Sequence, residues 1–378
     1  MNPALIRREP VLNRQQTITA SRLIVHADSA ALAAEALNGV FDVWPGARSV
    51  FISLAGCLPD HELLIWNAPD NILIEIPALG LEAPTTRQLA GELAAAGVPL
   101  CLDGYVPGTA LPAELPFRFL LTDAVAQPRV VNAPGIPIAT GLADLPAFVN
   151  ATAGGYDGAT GWFFLHGRKP ADKLNPSHAQ IVRVLNLVRR NAEVKEIEVA
   201  LKQDVTLSYK LLRYINSAGF GLSCEIESFR HAVAILGYDK LNKWLSLLLV
   251  TASKDPAAPA LMQASVARGR FMEMVGKDYF DKSALDNLFI TGAFSLLGVL
   301  LGTRLETVLQ EMHLPEPVVD ALLHGHGAYA GLLDLALACE EAPSVDVAQK
   351  AGLLGISIPK LNHAQIEALA FADSLQFN

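Results

Sequence analysis

Residues 202–250, KQDVTLSYKLLRYINSAGFGLSCEIESFRHAVAILGYDKLNKWLSLLLV, decide the fold of the second half of the chain. Apolar residues recur here at spacings of three and four, which places them on one face of a helix. The first such face comprises Leu207, Leu211, Leu212 and Ile215. Residues suited to N-caps and glycines suited to helix ends divide the stretch into three helices: Asp204 or Thr206, Gly219, Gly221, Ser228, Gly237 and Asp239. The stretch therefore predicts a compact helical module with short turns.

Two segments of this stretch, QDVTLSYKLLRYINSAGFG (203–221) and IESFRHAVAILGYDKLNKW (226–244), resemble the HDOD domain. The resemblance implies an all-α fold similar to that of the HD phosphohydrolases, without the paired His-Asp metal centre of those enzymes. It also implies a role in signalling or regulation. The chain contains no His-Asp dipeptide, so a binuclear metal site of that kind has no ligands here. Helical periodicity restarts after Pro176, and we expect the domain to begin near Leu174.

The composition is that of a globular protein with large buried or partner-covered surfaces. At 378 residues the chain is longer than one hydrophobic core usually supports, so two domains are expected. Apolar residues make up 51% of the chain and charged residues 18%, a balance that favours an interaction surface. The net charge of −9 opposes the phosphate contacts that drive nucleic-acid binding. We therefore expect no DNA or RNA partner.

Cysteine usage and the N-terminus indicate a cytoplasmic protein. The four cysteines lie far apart, which is typical of reduced thiols: Cys57, Cys101, Cys224 and Cys339. The first residues, MNPALIRREPVLNRQQ, contain no apolar stretch of signal-peptide length. The uncharged segment 287–303 is shorter than a full membrane span and is interpreted as a buried helix. No association with a membrane is expected.

The first part of the chain alternates between strand-like and helix-like runs. Apolar runs such as SVFISLA (49–55), NILIEIP (71–77) and FRFLLTD (117–123) are separated by Ala- and Leu-rich segments. This pattern predicts an α/β barrel. Because the carboxyl ends of barrel strands meet at one rim, four polar residues are expected to share it: Ser53, Glu75, Asp103 and Asp123. Two or three acids on one rim could hold a divalent metal.

The order of these runs also resembles an EAL domain. The resemblance rests on REPVLNRQQTITASRLIV, FISLA, ILIEIP, GVPLCLDGYVPG, LPFRFLLTD, IPIATGLAD and GATGWFFLHGR. It implies a barrel of the type that hydrolyses cyclic di-GMP with the help of metal ions. The catalytic positions of that family fall here on Arg22, Ser53, Glu75, Asp103-Gly104, Leu121 and Thr140. Among them, Glu75 and Asp103 alone keep the family's residue type.

These departures predict a degenerate site. Arg22 puts a permanent cation where a metal ligand should be, and Leu121 can neither carry charge nor transfer a proton. We expect Glu75 and Asp103 to be vestigial ligand positions, satisfied by hydrogen bonds at the rim or by Arg22 itself. Two connections of the barrel are also shorter than the resemblance implies, which predicts an open or distorted barrel.

The sequence thus predicts an α/β plus all-α architecture. A degenerate, truncated EAL-type barrel is expected over residues 1–170, and a helical HDOD domain with a helical C-terminal extension over residues 171–378. We expect no catalytic residue, no metal and no cofactor. Three aromatic residues of the HDOD stretch are candidate anchors for a partner unless they fill the core: Tyr214, Phe220 and Trp244.

The interpretation is a non-catalytic, cytoplasmic regulatory protein that binds other signalling proteins. One alternative is a sensor that binds a cyclic dinucleotide without hydrolysing it. The other is a residual cyclic di-GMP phosphodiesterase, which requires replacement ligands at the substituted positions.

Overall fold

The first part of the protein forms a closed barrel of eight strands. A computed structural model of the chain describes residues 3–171, 176–202, 226, 228–250 and 256–375. The strands follow one another around the barrel in chain order: β1 (Leu5–Asn13), β2 (Ile18–His26), β3 (Ser49–Ala55), β4 (Ile72–Pro77), β5 (Leu100–Asp103), β6 (Phe117–Asp123), β7 (Ile136–Thr140) and β8 (Gly158–Thr160). Helices α1 (Ala30–Asn38), α2 (Pro84–Ala95) and α3 (Leu145–Ala153) connect β2 to β3, β4 to β5 and β7 to β8.

Strand β1 runs antiparallel to both of its neighbours, β2 and β8, whereas the other neighbouring strands are parallel. The turn between β1 and β2 is very short, and such a turn can join only antiparallel strands. The Asn13 side chain stabilises it by accepting hydrogen bonds from the backbone amides of Gln15 and Thr17, both at 3.0 Å. The resulting register sets Glu9 directly opposite Arg22.

Side chains alternate between the barrel interior and the layer between strands and helices, as the two-residue period of a strand requires. One buried cluster takes a residue from most of the strands: Val11, Ala20, Phe51, Leu73, Cys101, Leu121 and Ile138. The strand neighbours of Phe51, which are Val50 and Ile52, belong to a second cluster that includes Leu37 of α1 and Leu89 of α2. The barrel is therefore a packed core and not a pore.

The predicted α/β barrel is confirmed, but the expectation that it is open or distorted is wrong. All eight strands pair into a closed barrel. Of the two connections predicted to be short, the one from Arg22 to Ser53 keeps α1, whereas the one from Asp123 to Thr140 contains no α-helix. The segments from β3 to β4 and from β5 to β6 also contain no α-helix. The strands themselves still pair, from Leu100 opposite Phe117 to Asp123 opposite Thr140. Closure depends on strand pairing and stagger, so a barrel tolerates the loss of outer helices.

The rest of the chain is helical, as predicted. Its helices are α4 (Pro176–Arg189), α5 (Val194–Lys202), α6 (Phe229–Val250), α7 (Ala258–Gly276), α8 (Lys282–Phe294), α9 (Leu297–Leu301), α10 (Leu305–Gln310), α11 (Glu316–Val319), α12 (Ala330–Glu341), α13 (Ser344–Leu353) and α14 (Ile358–Ser374). The predicted helix end at Gly237 is confirmed, because this glycine has non-helical backbone angles, with φ 75° and ψ 169°, and α6 consists of two helices that meet there at a kink. Residues 203–225, which carry the first predicted helix face, lie outside the described residues. Among the helices that are described, none combines the length and the apolar character needed to cross a membrane.

Two compact units make up the chain, and one of them joins distant parts of the sequence. Met1–Gly167 group with Leu337–Ala370, and Arg168–Ala336 group with the residues from Phe371 onward. We call them the barrel unit and the helical unit. The barrel unit thus includes the end of α12, all of α13 and most of α14.

Side chains of α14 attach this returning segment to the first strand of the barrel. Asn362 accepts a hydrogen bond from the Ile6 amide at 2.9 Å and donates one to the Ala4 carbonyl at 2.8 Å. Gln365 donates to the Ile6 carbonyl at 2.9 Å. The sequence boundary at 170 assigned these residues to the helical domain, because helical periodicity does not reveal which core a helix joins. The division into domains 1–170 and 171–378 stays a prediction.

Candidate functional site at the barrel mouth

Neighbouring strands bring the predicted site residues together at one place in the barrel. Arg22 lies on β2, Ser53 on β3, Glu75 on β4 and Asp103 at the end of β5. These strands are parallel neighbours, so residues near their carboxyl ends share one rim. Glu9 joins them from β1, opposite Arg22.

The strongest contact of the site is a forked ion pair between Arg22 and Glu75. The Arg22 Nε atom donates to Glu75 Oε1 at 2.8 Å, and Arg22 Nη2 donates to Glu75 Oε2 at 2.7 Å. The Glu75 side chain is only 1% exposed. Two parallel charge-assisted hydrogen bonds fix the planar guanidinium against the carboxylate. Arg22 itself is therefore what satisfies Glu75.

Three weaker contacts complete the surroundings of the Arg22 guanidinium. Its Nη1 atom lies 3.3 Å from Glu9 Oε2, and its Nη2 atom lies 3.4 Å from Ser53 Oγ and 3.6 Å from Asp103 Oδ2. Glu9 Oε2 also accepts a hydrogen bond from the Thr160 hydroxyl at 2.9 Å. The guanidinium therefore supplies positive charge to three carboxylates at once.

Burial and pairing together set the protonation of this network. Burial alone lowers the pKa of the Arg22 guanidinium, but pairing with Glu75, and then with Glu9 and Asp103, raises that pKa above its ordinary value. Burial also raises the pKa of Asp103, with the charge of Arg22 acting in the opposite direction. Arg22 therefore stays charged at any physiological pH, and Asp103 takes up a proton at a higher pH than an ordinary aspartate does.

The remaining predicted positions do not add a charged group to the site. Leu121 is part of the buried interior cluster, and the Gly104 amide donates to the Leu121 carbonyl at 3.1 Å. Asp123 lies at the carboxyl end of β6, as expected for the rim, but its exposed carboxylate accepts hydrogen bonds from the amides of Val125 and Ala126 and so caps a turn instead of joining the Arg22 network. Within the described residues, no group of three or more His, Cys, Asp or Glu side chains is arranged to hold a metal ion.

A cavity of about 420 Å³ opens beside Arg22, and sequence reasoning missed part of its lining. Glu340 and Glu341, at the end of α12, line it together with Arg7 and His166. His166 Nε2 lies 2.5 Å from Glu341 Oε1, and Arg7 Nη2 donates to the Glu340 carbonyl at 3.0 Å. No sequence signal links residues so far apart. Glu9, in contrast, follows from the β1–β2 hairpin register.

The candidate aromatic anchors cannot be placed on a surface. Tyr214 and Phe220 lie outside the described residues. Trp244 belongs to α6, but its side chain is likewise outside what the structure describes. Their role as anchors stays a prediction.

A known protein family matches part of the helical half of the chain. Residues 174–322 match the HDOD domain family. The chain carries an HDOD domain. The match begins where helical periodicity restarts in the sequence, and it spans α4 to α11 and the segment just beyond.

Two curated proteins resemble part of this chain. Cyclic di-GMP phosphodiesterase CdgJ of Vibrio cholerae is 29% identical over 203 residues, which are 53% of this chain and 47% of the relative. The uncharacterized protein YuxH of Bacillus subtilis is 25% identical over 193 residues, which are 50% of this chain and 47% of the relative. The chain thus spans about half the length of the curated relatives it matches.

Solved structures resemble the chain more distantly. The manganese and cyclic di-GMP complex of BlrP1 from Klebsiella pneumoniae has 16% identity and a TM-score of 0.35, and the likeness covers 43% of this chain and 55% of that one. A putative phosphohydrolase from Shewanella amazonensis has 15% identity and a TM-score of 0.39, with 55% and 95% covered.

The sequence-based expectation that the protein is not an enzyme is wrong on this comparison. The relative that is 29% identical over 203 residues is a cyclic di-GMP phosphodiesterase. The expectation rested on the substitutions at the barrel positions and on the absence of a His-Asp dipeptide. The loss of one set of metal ligands excludes only the catalytic site that those ligands would build. Hydrolysis can also take place at a different site whose groups position and activate a water molecule.

Proposed function

We propose that this protein is a cytoplasmic regulatory protein of cyclic di-GMP signalling. In it, an EAL-like barrel with an arginine-filled site is joined to the HDOD domain, and the protein acts through contacts with other signalling proteins. The observation that carries this proposal is the position of the Arg22 guanidinium among Glu75, Glu9 and Asp103. A side chain supplies the positive charge there, so the mouth of the barrel is organised without a bound ion.

The Arg22 guanidinium is a permanent cation of the protein itself. The arrangement of the site therefore does not depend on the concentration of metal ions, which is compatible with a regulatory role. The acids are paired in place, and Glu75 is held through both of its oxygen atoms. A nucleotide or a partner protein that reaches the mouth therefore meets one defined arrangement of charges. Calorimetry with cyclic di-GMP, in the presence and absence of Mg²⁺, measures whether the nucleotide is such a ligand.

The protein-contact part of the proposal predicts that aromatic anchors of the HDOD domain carry binding energy. Trp244→Ala and Tyr214→Ala are each expected to weaken partner capture by roughly 2 kcal/mol, the effect typical of an aromatic hot spot. Capture is measured by pull-down from native lysate and repeated with the purified partner. Melting temperatures show whether each variant remains folded.

Tyr279→Ala is a matched control for this pair of variants. Tyr279 is a 52% exposed aromatic residue of the same unit. It lies within the HDOD range of 174–322 but outside the stretch 203–244 that suggested the anchors. Capture by this variant should equal that of the wild type. Equal capture by Trp244→Ala, Tyr214→Ala and the wild type, with unchanged melting temperatures, would rule out both side chains as anchors.

A second candidate function is hydrolysis of cyclic di-GMP, which the similarity to the Vibrio cholerae phosphodiesterase favours. If the barrel mouth carries this reaction, Glu75→Gln should reduce turnover by at least about 100-fold, as expected when a charged group is lost from a reaction centre. Turnover is measured by chromatography of the linear product with Mg²⁺ or Mn²⁺ present. Glu82→Gln, a change at an exposed glutamate of the same unit, should have no effect.

The assay separates the two candidates cleanly. Turnover that is unchanged in Glu75→Gln would place the reaction away from the barrel mouth. No turnover by the wild-type protein would contradict the second candidate and leave the first, which is tested by partner capture.

A further inference from the structure

A groove on the helical unit is lined by three arginines that belong to α4 or follow it directly. Arg183, Arg189 and Arg190 form one wall, and the other wall comes from Glu196 of α5 and the segment 311–313 after α10. The groove encloses about 560 Å³, which is within the range of small-molecule sites.

Hydrogen bonds hold the two walls of this groove at a fixed distance. Asn186 Nδ2 donates to the Glu311 carbonyl at 2.7 Å, and Asn186 Oδ1 accepts from the His313 amide at 3.1 Å. Arg189 Nη1 donates to the His313 carbonyl at 3.2 Å. The groove is therefore preformed, which lowers the entropic cost of binding a ligand.

Charge distinguishes this groove from the rest of an acidic protein. Three guanidinium groups line it against the carboxylates of Glu196 and Glu311, although the chain as a whole carries a net charge of −9. Glu196 is paired with Arg190, and both side chains are more than half exposed. An exposed pair of this kind is worth only about 0–1 kcal/mol, so an incoming anion can replace the carboxylate at little cost.

Arg189 gives the groove a cation that is partly withdrawn from water. Its guanidinium lies over the Phe294 ring, 5.9 Å from the ring centre. Burial lowers the pKa of Arg189 to about 10, because the charged form loses hydration. An anion bound in the groove stabilises this charged form and so gains more from Arg189 than from a fully hydrated arginine.

We propose that this groove binds a small phosphorylated ligand of the nucleoside phosphate class. The parallel N–H groups of an arginine guanidinium match the geometry of phosphate oxygens. The backbone positions of Arg183 and Arg190 are about 10 Å apart along the helix axis. Val182 and Leu187 supply buried apolar surface for the base and sugar. The site lies outside the barrel mouth, so it goes beyond the proposed function and does not depend on it.

Calorimetric titration of the full chain with AMP and GMP tests the proposal. At least one of them is expected to bind with a Kd of about 1 mM or below, and adenosine and guanosine should not bind, since they lack the phosphate. The double variant Arg183→Gln/Arg190→Gln should bind the nucleotide at least about 10-fold more weakly. Because both arginines are exposed, these changes should leave the fold intact.

Arg230→Gln is a matched control. Arg230 is an exposed arginine of α6 whose Nη2 atom lies 3.4 Å from Glu198 Oε2, so the control also removes one surface cation paired with a glutamate of α5. Nucleotide affinity should not change in this variant. The proposal is overturned by equal binding of nucleotide and nucleoside, by equal affinity of the double variant and the wild type, or by absence of binding. Binding lost in Arg22→Gln but kept in the double variant would place the ligand at the barrel mouth instead.

Discussion

Arg22→Ala is expected to destabilise the barrel unit by about 3–5 kcal/mol, the usual cost of removing one partner from a buried ion pair. The effect is large because the Glu75 side chain is 1% exposed and loses two hydrogen bonds at once. A buried carboxylate without its cation must either stay charged in a poorly hydrated place or take up a proton. Urea unfolding followed by tryptophan fluorescence, with Trp44, Trp66 and Trp162 as probes of the barrel, measures the change.

The reference for this experiment is Arg87→Ala. Arg87 pairs with Glu114 at 2.5 Å, but these side chains are 54% and 59% exposed, so the loss should stay within about 1 kcal/mol. Arg22→Leu combined with Glu75→Leu should recover much of the stability lost in Arg22→Ala, since no buried charge is left unpaired. A loss below about 1 kcal/mol in Arg22→Ala itself would contradict a structural role for the ion pair.

Metal addition gives the same variant a second readout. As placed in the wild-type protein, Glu9, Glu75 and Asp103 are not arranged to hold a metal ion, but without the guanidinium their side chains can reorient, and carboxylates are the ligands that Mg²⁺ and Mn²⁺ prefer. Millimolar Mn²⁺ is therefore expected to raise the unfolding midpoint of Arg22→Ala and to leave that of the wild type nearly unchanged. Equal responses of the two proteins would mean that Arg22 does not occupy the place of an ion.

Leu369→Ala is expected to destabilise the barrel unit by about 2–5 kcal/mol, although Leu369 lies near the other end of the chain. Its side chain and that of Ile366 are buried in the cluster that contains Val25, Leu37 and other barrel-unit residues. Asn362 and Gln365 belong to the same helix as Leu369, and their side chains form hydrogen bonds with the backbone of Ala4 and Ile6. The barrel therefore depends on α14 for part of its core, and unfolding by urea measures how much.

Leu353→Ala is the control, because this leucine of α13 is 81% exposed and its truncation should change stability by no more than about 0.5 kcal/mol.

A fragment ending at residue 170 should be insoluble, or loosely packed as judged by near-ultraviolet circular dichroism. Co-expression with residues 337–378 should increase its solubility and its near-ultraviolet signal. A stable, soluble 1–170 fragment would show that the returning segment is dispensable.

Local sequence patterns predicted the secondary structure, because it depends mainly on residues that are close along the chain. The apolar runs at 49–55 and 117–123 became buried strands, and the periodicity after Pro176 became α4. Arg22 and Glu75 were placed together because parallel strands align their carboxyl ends. Contacts between distant residues were not predictable in this way: Glu340 carries no mark that assigns it to the barrel mouth, and Asn362 none that pairs it with β1.

The joining of Met1–Gly167 with Leu337–Ala370 has a consequence for how the protein is made. During synthesis the barrel strands leave the ribosome first, but α14, which packs against their core, is translated about 10–40 s later, at usual elongation rates of about 5–20 residues per second. Throughout that interval the nascent barrel lacks the apolar side chains of α14 and the hydrogen bonds that Asn362 and Gln365 make to the backbone of Ile6 and Ala4. Most of the sequence of the helical unit is continuous. This unit can therefore fold before α14 is synthesised and the barrel core is completed. We therefore expect the newborn chain to engage chaperones through residues 1–167, and this part to become resistant to protease only after residue 370 has emerged.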